Sequence, residues 1–70
     1  MAGEIKSAAE ATKIATTFLK QYYGFLRPIS AERNNGNWQV RIDVGVVMRQ
    51  IASVEIDASS GDVTGYSLPQ

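Results

Sequence analysis

Apolar residues recur along this chain with two different periods, and the change of period divides it. Ala11, Ile14, Ala15, Phe18, Leu19 and Tyr22 fall on one face at helical spacing. From Ile29 onward apolar and polar residues alternate, the period of a strand. In "WQVRIDVGVV", Trp38, Val40, Ile42, Val44 and Val46 point one way, and Gln39, Arg41, Asp43 and Gly45 the other. In "ASVEIDA", Ala52, Val54, Ile56 and Ala58 alternate with Ser53, Glu55 and Asp57. These patterns predict a helix over about residues 7–24 and strands over about 29–33, 37–47, 51–58 and 63–68.

Local chemistry marks the ends of these elements. Ser7 suits an N-cap, with Glu10 three residues on to bond back to the Ser7 amide as a capping box. Gly24 supplies a residue able to close the helix in the left-handed conformation, with Phe25 and Leu26 folding back over its end. Arg27-Pro28 then breaks any continuation. Asn35-Gly36 suits a two-residue type I′ hairpin, which sets Arg33 opposite Trp38, Ala31 opposite Val40 and Ile29 opposite Ile42. A turn centred near Arg49 sets Val44 opposite Val54 and Ile42 opposite Ile56. It also brings Asp43 near Glu55, a like-charge contact, and Arg41 near Asp57. The last strand has an ambiguous phase, because Val63 conflicts with Tyr66 and Leu68 in strict alternation. The expected fold is α+β: one N-terminal helix packed on one face of a three- to four-stranded antiparallel meander sheet.

Composition narrows the chemistry. Seventy residues suit a single small domain whose core takes most of the strong apolar side chains. The chain has no cysteine, so disulfides, thiolate metal sites and thiol nucleophiles are excluded. It has no histidine, which removes the usual general base near neutral pH and the commonest metal ligand. Seven basic and seven acidic residues balance, and the basic ones do not cluster in sequence, which argues against nucleic-acid binding. No apolar run approaches the length of a membrane span. "MAGEIKSAAEATK" lacks the apolar core of a secretory signal, so a cytoplasmic location is expected, or an extracytoplasmic one had a signal been trimmed.

Four features are candidates for chemistry. "DASSGD" offers oxygen ligands at Asp57, Ser59 and Asp62, but the downstream carboxylate of a calcium loop is missing, and a hairpin turn explains the same residues. No metal or other cofactor is therefore expected. Asp43, Glu55 and Asp57 share the predicted open sheet face, where paired carboxylates could act as a hydrolase, although a flat solvated strand face has the same appearance. Trp38 is expected in the core with Arg33 stacked on it, Tyr22 packed and Tyr23 exposed. Lys6, Lys13 and Lys20 recur on the far face of the helix as a basic stripe or a solvated one. The last feature is "VGVVMRQIA", too apolar for an ordinary hairpin tip. Val46, Val47, Met48, Arg49 and Ile51 either pack under Phe25 or Leu26 or form a protein-contact surface. The unpaired edges of the sheet are a second route to a protein partner or to self-association.

With these elements in place, "AAEATKIATTFLK", "WQVRIDV" and "VEIDASSGDVTGY" together resemble the PepSY-like domains, small α/β units found alone, in tandem or in protease propeptides. The segment from "SAERNNGNWQVRIDV" to "VEIDASSGDVTGY" is also similar to the core of gas-vesicle protein O. These resemblances span roughly Ala8 to Leu68 and bring no catalytic residues with them. They imply a non-enzymatic protein-interaction or regulatory module, or alternatively a gas-vesicle-type accessory protein.

Overall fold

The computed structural model describes residues 4–69. Helix α1 (Ala8–Leu19) is followed by β1 (Arg27–Asn34), β2 (Asn37–Asp43), β3 (Ile51–Asp57) and β4 (Val63–Ser67). The four strands form one antiparallel sheet in the order β1-β2-β3-β4, a meander with α1 lying across one face, so the fold is α+β.

The helix begins as its cap residues dictate and ends earlier than they suggest. Ser7 Oγ accepts from the Glu10 amide at 3.2 Å, satisfying one of the free first-turn donors. The return bond is displaced by one residue: Glu10 Oε1 accepts from the Lys6 amide at 2.9 Å rather than from that of Ser7. At the other end, the amides of Tyr22 and Tyr23 both donate to the Leu19 carbonyl. This turn closes the helix, and Gly24 does not adopt the left-handed conformation expected of it.

The first hairpin pairs as alternation requires, with Asn34 opposite Asn37, Arg33 opposite Trp38 and Ala31 opposite Val40. Its turn differs from type I′, because Asn35 has a positive φ of 55° and Gly36 does not. Further along, the register shifts between Pro28 and Ser30, so Pro28 rather than Ile29 faces Ile42. Proline has no N–H to give the ladder and sits where pairing is interrupted, which leaves Ile29 bulged outward and exposed.

The β2–β3 register is corrected by four residues. Val54 lies opposite Val40, Ile56 opposite Trp38 and Ala52 opposite Ile42. An even offset keeps every side chain on its predicted face, so hydrophobic alternation alone could not select between the two registers. The expected approach of Asp43 to Glu55 does not occur. Glu55 faces Gln39, and Arg41 faces Ser53. In β4 a second bulge places Val63 opposite Ile56 and Gly65 opposite Glu55, with Thr64 as the extra residue. Tyr66 then lies opposite Val54, which resolves the phase conflict with Val63.

The core forms between α1 and the sheet. Ala11, Ala15 and Leu19 meet Val40, Ile42, Val54 and Ile56, all fully buried. The two alanines let the helix approach closely, and each larger aliphatic side chain contributes about 1.5–3 kcal/mol by burial. Tyr22 and Tyr23 exchange their expected places: Tyr22 is half exposed and Tyr23 packs against the core. The segment before the helix is tied in as well. Ile5 is buried, its amide donates to the Ala58 carbonyl, and its own carbonyl accepts from Trp38 Nε1 at 3.0 Å. Among the described residues, no helix is long and apolar enough to cross a membrane.

Candidate contact site at the β2–β3 loop

The loop joining β2 to β3 is built on one buried carboxylate. By alternation Asp43 belongs with Gln39 and Arg41 on the open face, yet it is only 1% exposed because the chain after it folds back over it. Its Oδ1 accepts from the Gly45 amide at 3.0 Å and from the Gln50 amide at 3.1 Å. Its Oδ2 accepts from Arg27 Nη2 at 2.8 Å. The Gly45 amide, then that of Gln50, hold the carboxyl below its usual 3.8; burial opposes them and Arg27 assists. One side chain thus closes both ends of the loop and joins it to the start of β1.

The backbone completes the closure. The Val44 amide donates to the Gln50 carbonyl at 2.8 Å, and Val44 itself is buried. A Cβ on Gly45 would overlap the Met48 carbonyl oxygen, so only glycine fits there. With both ends fixed, the intervening side chains are turned outward: Val46 is 79% exposed, Val47 94% and Met48 75%. They border an open hollow of about 320 Å³ lined by Gly45, Val46, Val47, Met48 and Gln50.

The contact residues singled out from sequence therefore lie together at one end of the sheet. Arg49 is exposed in the same loop, and Ile51 opens β3 opposite Asp43. The alternative, in which this run packs under Phe25 or Leu26, is not realised. Leu26 packs against the core, while Val46, Val47 and Met48 stand clear of it. The strand expected to continue to residue 47 stops at Asp43, where the carboxylate captures the next amides. Sequence reading missed the roles of Asp43, Gly45 and Gln50. The available signal was an acidic residue two positions before a glycine, the spacing of an Asx-type turn.

The carboxylates do not converge. Asp43 lies four residues along β2 from Gln39, which faces Glu55, a separation of about 13 Å along the strand. Glu55 and Asp57 are neighbours on β3, but Asp57 belongs to the turn. Its Oδ1 accepts from Ser59 Oγ at 2.7 Å and from the Ser59 amide at 2.8 Å, and these bonds hold its carboxyl below 3.8. Gly61, with a φ of 81°, and a bond from the Asp57 amide to the Asp62 carbonyl complete that turn. Both shifts favour the ionised form, the opposite of what a general acid needs.

Three other features are formed. Phe18, Tyr22 and Tyr66 make an aromatic cluster, with Phe18 and Tyr66 centroids 5.0 Å apart. The Arg33 guanidinium lies 6.0 Å from the centre of the Trp38 ring. On the open face, Gln39, Ser53, Glu55, Gly65 and Ser67 border a shallow hollow of about 230 Å³. Comparison with protein-family models, with characterised proteins and with solved structures gives no match.

Proposed function

We propose that this chain is a non-catalytic protein-docking module whose contact surface is the β2–β3 loop. The observation that carries this reading is the fixed outward presentation of Val46, Val47 and Met48 by the buried Asp43 carboxylate. Exposing aliphatic side chains to water is unfavourable, and a small domain has few to spare from its core. A loop that holds three of them outward while its closing groups are satisfied is built for contact rather than for packing. The separation of Asp43 from Glu55 and the engagement of Asp57 in its turn support the non-catalytic part of the reading. The PepSY resemblance supports a regulatory role for the contact.

The test is capture by the tagged protein from the source cell, comparing the natural chain with Val47→Lys and Met48→Lys. A specific captured protein should be lost with both variants while their circular dichroism stays unchanged. Equal capture by natural and substituted proteins removes the loop as the contact surface.

A further inference from the structure

We infer that the partner docking on this loop is an acidic peptide segment carrying apolar side chains; the inference rests on the docking role proposed above and names the partner's chemistry. Net charge is zero and sequence shows no cluster, but the meander sorts the charges along its strands. Arg27 and Asp43 face each other at the loop end of the sheet, Arg41 lies two residues further in, and Arg49 is in the loop. That end holds three arginines against one carboxylate, and Asp43 is buried and already paired. Glu32 and Glu55 both face Gln39, Asp57 ends β3, and Asp62 lies in the turn beyond it. The far half of the sheet thus holds four carboxylates against Arg33.

Distance decides which charges a docked partner feels. Glu32 and Glu55 are about 13 Å from Asp43 along the strand direction. Screening at physiological salt acts over about 8 Å. Arg41 stands between the two groups, about 7 Å along the strand from Asp43 and equally far from the Gln39 row that holds Glu32 and Glu55, whereas Arg49 lies in the loop itself. The loop therefore presents apolar side chains beside the exposed Arg49, with Arg27 paired to Asp43 and Arg41 the next cation inward, and the complementary ligand is acidic and apolar.

The same sorting disfavours a second copy. Two loops placed together would bring arginines against arginines. A head-to-tail copy would offer carboxylates, but of the exposed large apolar residues of the described chain only Tyr66, opposite Val54, stands beside them, in the hollow it shares with Glu55. The hollow beside Met48 gives one apolar side chain of a peptide a place to enter, with Arg41 and Arg49 exposed to its carboxylates.

The experiment titrates the full ¹⁵N-labelled chain with two amphipathic peptides of equal length, one of Glu and Leu and one of Lys and Leu. Vesicles of phosphatidylcholine, with and without phosphatidylserine, form a third arm. The Glu-Leu peptide should shift the amides of Val44 to Ile51, bind at least about tenfold more tightly than its Lys-Leu counterpart, and weaken in raised salt. Arg41→Glu with Arg49→Glu should reverse that preference. Equal binding of both peptides at the loop overturns the acidic partner and leaves docking standing. Tighter binding of the phosphatidylserine vesicles than of either peptide replaces the protein partner by a lipid surface and overturns both. Absence of loop shifts in every arm also overturns both.

Discussion

Asp43 and Gly45 are two residues apart, and the bond between them determines where the strand ends. The Gly45 amide turns back to donate to Asp43 Oδ1 at 3.0 Å, and Gln50 reaches the same oxygen from the other end of the loop. Asp43 Oδ2 meanwhile meets Arg27, so the loop is fixed to the neighbouring strand as well. Replacing the carboxylate by an amide of the same shape should loosen this closure without disturbing the core. In Asp43→Asn, hydrogen exchange at Gly45 and Gln50 should accelerate while Val40 and Val54 stay protected. Unchanged protection at Gly45 and Gln50 would mean that the backbone closes the loop unaided.

Gly45 gives an independent test, because its constraint is steric. A methyl group there meets the Met48 carbonyl oxygen, and the backbone must move to admit it. Overpacking of this kind costs about 1–3 kcal/mol, and for a domain of this size each kcal/mol lowers Tm by about 4–8 °C. Gly45→Ala should show that loss in thermal unfolding, and an unchanged Tm would contradict the close approach.

Trp38 links the sheet to the segment before the helix. Its Nε1 donates to the Ile5 carbonyl in a buried setting. Trp38→Phe keeps a large ring but leaves that carbonyl without its donor, at a cost of about 1–3 kcal/mol. Urea unfolding followed by far-ultraviolet circular dichroism should show the loss. Stability equal to that of the natural chain would show that water replaces the indole.

The pH dependence has a definite sign. Asp43 and Asp57 are both held below the ordinary 3.8, so their folded forms bind protons less readily than the unfolded chain. Their stabilisation is fully present above the unfolded value and is lost as pH falls through the folded ones, so the loss sets in below about pH 4. With no histidine in the chain, no imidazole titrates near neutrality. Melting temperatures should fall in acid, and Asp57→Asn should flatten part of that fall. A steeper acid loss in the variant would contradict the assignment.

Much of the fold was legible because faces are set by period. Ala11, Ala15 and Leu19 on the helix, and Val40, Ile42, Val54 and Ile56 on the strands, are buried as their spacing requires. What period cannot carry is an even register offset, and there the β2–β3 pairing was misplaced by four residues. The deciding interaction, a carboxylate on the amides of Gly45 and Gln50, leaves no trace in hydrophobicity. Ile29 was misplaced for a related reason, since the interruption at Pro28 moves one residue out of the ladder. The conflict between Val63 and Tyr66 was itself the mark of a bulge, with Thr64 as the inserted residue. At the candidate site the apolar tip was visible in the residue types, whereas the support beneath it and the sorting of charge around it emerged only from strand pairing.

Val47 offers the most direct measurement of the docking role. A photo-crosslinking side chain at Val47, expressed in the source cell, samples the loop, and the same group at Lys13 samples the exposed face of the helix. Because both positions are exposed, each substitution should change stability by no more than about 0.5 kcal/mol. The docking role predicts a discrete protein adduct from position 47 that Met48→Lys removes, and none of the same mass from position 13. The same adducts from both positions, or none from position 47, would contradict it.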